Sequence, residues 1–346
     1  MERPEDKETL HTVTWCLDHK DQGGKHKIVC GGADGVLFVI NASTLEVDRE
    51  LLGHNNEIND VRTCPTNPAL VVTASKDRTV RVFHIREETC LLLFGSRLGH
   101  TDSVVTADWA FDAKSIISGG FDHKLVVWDL ETRTVAEHME KCMVKIDAGL
   151  PVESFVVDLE SIDRLSSGMT TFDPNGHSLL INRPTDIIKD IHFEAVDCIR
   201  SIKLNGQNYI LSKATGRERS ITLWRTGLMD PNSVQHPDAG INKSYVEIWT
   251  KEIKHWQCYF SKFAIDPLRK WVVATTSSGT LNFYKLFDKD SEEPFVVHDV
   301  SPTKDQAHDV SFSTDGQILL CVGAKGLLVR LDRVPDTYTK DPVDLW

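Results

Sequence analysis

Between Gly53 and Leu130, short runs of alternating apolar and polar residues are punctuated by turn residues, and the pattern occurs twice. The first copy reads INDVRT, LVVTAS, VRVFHI and CLLLF; the second holds SVVTADW, KSIISGG and KLVVWDL. Alternation of this kind between turn signals predicts strands with a buried face. Each copy opens on Gly-His (Gly53-His54, Gly99-His100), reaches a turn aspartate (Asp77, Asp122) and places an aromatic six residues beyond it (Phe83, Trp128). Self-similarity at a fixed period marks a repeat architecture. Four strands between a Gly-His entry and a Trp-Asp exit are the signature of a WD40 propeller blade. The entry histidine is placed to hydrogen-bond the turn aspartate, with Thr73 or Ser75 in one copy and Ser118 in the other able to join. Buried polar groups need partners, so His54, Asp77, His100, Asp122 and Trp128 are expected to be scaffold.

The same pattern continues less regularly on either side. A first unit spans roughly residues 9 to 52, with Asp34-Gly35 as its tight turn. A fourth begins near Val196, and Trp224, expected to be structural, closes its third strand. A fifth starts at Trp256, and a sixth at Ala307 with a hairpin turn at Asp315-Gly316. Residues 140–195 break the period. They are read as an elaborated insertion between blades, with FDPNGHSLLI resembling a hairpin and lending an edge strand; long insertions in compact domains are often functional. Met229 to Ser244 reads as a polar surface loop. The expected organisation is an N-terminal tail at 1–8, an all-β WD40 β-propeller with six visible blades at 9–333, and a C-terminal tail at 334–346.

Composition narrows the functional classes. The chain has 346 residues, enough for one propeller. No apolar run reaches the ~18 residues of a membrane span, and the charged start MERPEDKETLH is not expected to be a signal peptide. The eight cysteines form no CxxC pair, which predicts reduced, buried thiols in cytosol or nucleus rather than a disulfide frame or a zinc site. A net charge of −12 argues against direct DNA binding and suits a basic partner. There is no Gly-rich phosphate loop, no HExxH and no GxSxG, and no spacing of carboxylates singles out an acid-base pair. Neither catalysis nor a cofactor or metal is expected.

Several stretches go beyond generic WD repeats. GHNNEINDVRTCPTNPALVVTASKDRTVRVFHI, LFGSRLGHTDSVVTADW, ISGGFDHKLVVWDL, DIHFEAVDCIRSIKL with ILSKA, and YFSKFAIDPLRKWVVATTSSGTL together resemble the Polycomb family called extra sex combs or embryonic ectoderm development. The resemblance covers about residues 9 to 333. It implies a seven-bladed propeller, whose first blade would lie before residue 9. It further implies a nuclear, non-catalytic subunit of a Polycomb repressive complex that methylates histone H3. One propeller face would bind a long helix of the SET-domain histone methyltransferase. The other would bind a trimethyl-lysine histone tail and so stimulate methylation and maintain silencing. A second reading from the repeats alone is a generic WD40 adaptor, such as a ubiquitin-ligase substrate receptor. Against it, the third unit ends Trp128-Asp129-Leu130, without an arginine two residues after the aspartate.

The resemblance also places a candidate site. A methyl-lysine cage surrounds a quaternary ammonium with aromatic faces, each contact worth ~0.5–2 kcal/mol. The family's cage tyrosine falls on His11, and its adjacent Trp-Tyr pair on Tyr259 and Phe260. Neutral imidazole is a poorer cation-π partner, and its protonated form repels the ligand. Asn59, Lys76 and His308 match rim positions of the same site. Read without the family, Tyr259 and Phe260 are neighbours in a strand, so one points to the core when the other faces a site.

Overall fold

A computed structural model describes residues 9–21, 25–88, 90–150, 152, 171–172, 178–204, 206–226, 245–253, 261–288, 291 and 293–333. The chain forms two compact units, Met1–Asp190 with Ser201–Asn208, and Ile191–Arg200 with Tyr209–Trp346. The fold class is an all-β WD40 β-propeller of six sheets. In the first unit, sheet 1 contains β1 (Leu10–Leu17), β2 (His26–Gly32), β3 (Leu37–Asn41) and β4 (Val47–Leu51). Sheet 2 contains β5 (Ile58–Thr63), β6 (Leu70–Ser75), β7 (Val80–His84) and β8 (Cys90–Phe94), and sheet 3 begins with β9 (Val104–Trp109), β10 (Ser115–Gly120) and β11 (Leu125–Asp129).

The stretch after sheet 3 contains the expected edge strand together with a helix and a further strand that the local pattern did not announce. Helix α1 (Arg133–Asp147) buries Val135, His138, Cys142 and Ile146 on one face. It ends in a Schellman turn: Gly149 adopts φ +69, its N–H reaches Ile146 O, and Leu150 N–H reaches Lys145 O. Beyond it, β12 (Thr171–Phe172) pairs with β13 (Leu179–Ile181), and β13 runs parallel to β8, with Leu179 opposite Leu92. Sheet 2 thereby has six strands. β14 (Asp186–Ile188) then supplies the fourth strand of sheet 3.

The remaining sheets are regular. Sheet 4 contains β15 (Val196–Leu204), β16 (Gln207–Ala214), β17 (Ser220–Thr226) and β18 (Tyr245–Glu252). Sheet 5 contains β19 (Phe263–Ile265), β20 (Trp271–Thr275), β21 (Thr280–Lys285) and β22 (Val296–Asp299). Among the described residues sheet 6 has three strands, β23 (Ala307–Phe312), β24 (Ile318–Gly323) and β25 (Leu327–Asp332). The predicted tails, the Met229 loop and residues 256–260 of the fifth unit lie outside the described residues.

Sheets pack face to face through the alternate residues of each strand. Val29, Val39 and Leu51 of sheet 1 meet Ile58, Val71 and Phe83 of sheet 2. The opposite face of sheet 2 contributes Val72, Val82 and Phe94 to a core with Ile116 and Trp128 of sheet 3 and with Val135 and Ile146 of α1. In the second unit, Val273 and Phe283 of sheet 5 pack with Val310 and Leu319 of sheet 6. Each fully buried Val, Leu, Ile or Phe contributes roughly 1.5–3 kcal/mol before entropy is subtracted.

Candidate functional site

The buried histidines are bonded into the sheets. In sheet 2, His54 Nδ1 lies 2.8 Å from Asp77 Oδ2, and Nε2 lies 2.7 Å from Thr73 Oγ1. Asn55 N–H and Thr79 N–H also donate to the Asp77 carboxylate. In sheet 3, His100 Nδ1 lies 2.9 Å from Asp122 and Nε2 lies 2.9 Å from Ser118 Oγ, which also accepts Trp128 Nε1–H at 3.0 Å. Burial alone would raise both aspartates. The partner histidines, with Arg81 beside Asp77 and Lys124 beside Asp122, hold both carboxyls well below the usual range. Burial pushes the His54 pKa down, so its ring is neutral and donates Nδ1–H to Asp77.

A third network was missed in the sequence. His192 Nδ1 contacts Glu218, and Nε2 lies 2.7 Å from Ser212 Oγ, to which Trp224 donates at 2.9 Å. Burial opposes the Glu218 charge, but the hydrogen bond from His192 holds its carboxyl below the usual range. The available signal was Trp224 itself: it follows Ser212 at nearly the spacing by which Trp128 follows Ser118.

The candidate ligand residues are placed as follows. His11 is exposed on β1. Tyr259 and Phe260 lie outside the described residues. Lys76 is exposed at its turn, and Nζ sits 2.7 Å from Glu57. His308 is half-buried in β23, where its carbonyl accepts Lys262 N–H at 2.7 Å. Asn59 departs from the expectation of a rim residue. It is buried, and its Nδ2 donates to Val104 O at 2.7 Å, so its amide ties β5 to β9. A neighbouring contact has the same character: buried Asp60 accepts Thr106 Oγ1–H from β9 at 2.7 Å.

The first unit also carries a cleft of about 890 Å³, lined by residues from the turn after β1, from β2–β4, from the turn after β7 and from the end of α1 and just beyond it. Val39, Ile85, Ile146 and Val152 line it from below but are buried in the cores, so the surface it presents is mainly polar. Its charged lining comprises Asp18, Asp21, Asp48, Glu87 and Glu88 against Lys20, Lys27, Arg49 and Arg86. Most of its cations are engaged internally. Lys27 is buried and pairs with both Asp21 and Asp48, and Arg86 Nε donates to Asp18 at 2.9 Å. Lys20 reaches Asp147 at the end of α1. Burial opposes the Asp18 charge, but the Arg86 guanidinium keeps its carboxyl below the usual range. Among the described residues there is no cluster of His, Cys, Asp and Glu able to hold a metal ion. No described helix is long and apolar enough to cross a membrane.

Comparison with known proteins bears on this arrangement. The pattern described as WD domain, G-beta repeat matches residues 46–84 and 91–129. Polycomb protein mes-6 of Caenorhabditis elegans is 32% identical, over 95% of this chain and 77% of the relative. Polycomb protein esc of Drosophila melanogaster is 23% identical, over 95% and 70%. Among solved structures, a chain of the Chaetomium thermophilum Polycomb Repressive Complex 2, determined with a trimethylated histone H3 tail, superposes with a TM-score of 0.70 at 15% identity, covering 96% of this chain and 83% of that one. A chain of the Mitotic Checkpoint Complex reaches a TM-score of 0.64 at 12% identity, covering 96% and 76%. At such identities the superpositions show a shared fold alone.

Proposed function

The chain belongs to the Polycomb WD40 family that includes mes-6 and esc, and on that premise we propose that it is a non-catalytic scaffold subunit of a nuclear histone methyltransferase complex. It binds the SET-domain catalytic subunit, engages a methylated histone H3 tail and supports gene silencing. The observation that carries this reading is the match to the Polycomb relative along nearly the whole chain. The geometry is of the same kind. The three histidine–carboxylate pairs described above are each bonded within a single sheet, as a scaffold requires. A bound tail stimulates the enzyme to the extent that it binds the active state more tightly.

The experiment is co-purification with the SET-domain methyltransferase of the same organism, followed by nucleosome methylation with and without this protein. Retention on the column and a rise in activity support the scaffold role. A stable, monodisperse protein that retains no such enzyme rejects it.

A further inference from the structure

We infer that residues 338–341 dock along the outer edge of β25 as the missing strand of sheet 6, with Tyr338 closing over Trp271 and His298 of sheet 5. The inference lies within the second unit and is independent of the scaffold reading above. In sheets 1 to 5 the third strand pairs with a fourth: β4, β8, β14, β18 and β22. β25 holds the third position in sheet 6, and among the described residues it pairs only with β24. Its Val329 and Leu331 pack towards sheet 5 but stay half-buried. An open edge of this kind accepts an added strand.

The occupant is this chain's own segment 334–346, which follows β25 directly and lies outside the described residues. Two connections elsewhere give its register. Ile40 of β3 pairs with Val47 across residues 42–46, and Phe83 of β7 pairs with Cys90 across residues 85–89. In both, the next-to-last residue of the third strand meets the residue seven places on. In β25 the next-to-last residue is Leu331, and seven places on stands Tyr338. Pro335-Asp336 between them suits a tight turn, Tyr338 and Thr339 favour a strand, and Pro342, which has no N–H, ends the ladder. Directly opposed residues point to the same side, so Tyr338 joins Leu331 on the face towards sheet 5. There sheet 5 leaves two buried atoms, Trp271 Nε1 and His298 Nε2, without a hydrogen-bond partner among the described residues. Trp271 and Val296 share a core with Leu331, and His298 lies two places after Val296 on the same face of β22. The Trp271 ring lies 5.3 Å from Phe295, and the His298 ring 5.4 Å from Phe283. Tyrosine adds a ring to this aromatic cluster and a hydroxyl that both donates and accepts, as the indole and the imidazole require.

The test is hydrogen–deuterium exchange of the full chain, Thr339→Pro, Tyr338→Ala and a chain that stops at Arg333. Amides of β25 are expected to exchange roughly ten-fold or more slowly in the wild type than in the shortened chain. Thr339→Pro keeps the whole segment but breaks the ladder, and it is expected to speed exchange in β25 while sheets 1 to 3 are unchanged. It supplies the comparison even where the shortened chain does not fold. Tyr338→Ala is expected to speed exchange in β22 around His298 as well. Equal exchange of β25 in the wild type and Thr339→Pro would overturn the proposal. So would protection of β25 that fades on dilution, because the added strand would then belong to another molecule. Exchange in β22 untouched by Tyr338→Ala would overturn the placement of its ring.

Discussion

Asp122→Asn changes one buried carboxylate without changing its shape. In the wild type its oxygens meet His100 Nδ1 at 2.9 Å, Thr101 N at 2.8 Å and Lys124 Nζ at 3.2 Å. An asparagine keeps one acceptor and turns an NH2 group towards the other donor. One hydrogen bond loses its charge assistance, worth about 1 kcal/mol, and the other donor faces a donor, costing about 1–3 kcal/mol, for a total of about 2–4 kcal/mol. A tautomer switch in His100, with Nε2–H donating to Ser118 Oγ, would bring the cost to the lower end. The pH dependence is the sharper check. The folded-state carboxyl is held below its ordinary value of 3.8, so its stabilisation is complete above that value and is lost as pH falls towards the folded-state pKa. The gap between wild type and variant must therefore narrow on acidification below 3.8. Urea denaturation at several pH values gives the gap, and hydrogen exchange of β10 amides localises it to sheet 3. A gap that stays constant across that range would refute the assignment of Asp122 as an ionised partner of His100.

Other perturbations probe separate links. Asn59→Leu removes the donor to Val104 O and should cost about 1–2 kcal/mol by urea denaturation, with no effect specific to peptide binding. Lys213→Met strips the counter-charge from Asp197, which is fully buried 2.9 Å away, and should cost about 3–5 kcal/mol; replacing both residues by apolar ones should recover most of it. His11→Tyr should tighten binding of a trimethyl-lysine histone H3 peptide by roughly two- to five-fold in a fluorescence-anisotropy titration, and absence of binding by either form would reject the reader role.

The sheets were legible wherever entry, turn and exit residues all kept their types. Units two and three kept their entry and turn residues, and β5–β11 could be placed from the sequence alone, whereas the fourth strand of sheet 3, β14, comes from the insertion and was not. Unit four hid its network because Glu218 replaces the turn aspartate and His192 has no glycine before it. Helix α1 was obscured because His138 and Cys142 occupy two of its four buried positions, which weakens the apolar stripe. Asn59 was named by resemblance alone, which does not reveal that its buried amide donates to the neighbouring strand β9. The cleft was invisible for a different reason: its lining comes from stretches near residues 20, 48, 87 and 150, which only the folded chain assembles.

The parallel pairing of β13 with β8 has a consequence for biosynthesis. Strand β8, CLLLF, is wholly buried in the finished protein, and its outer edge is paired by a strand that is made much later. While the ribosome synthesises sheet 3 and α1, the nascent chain carries this apolar ladder uncovered. At roughly 5–20 residues per second the interval lasts several seconds, far longer than a hairpin needs to form. An uncovered strand edge is a template for pairing with other chains. Pauses in translation just before Leu179 should therefore lower the yield of soluble protein, and holdase chaperones should be found on ribosomes stalled there.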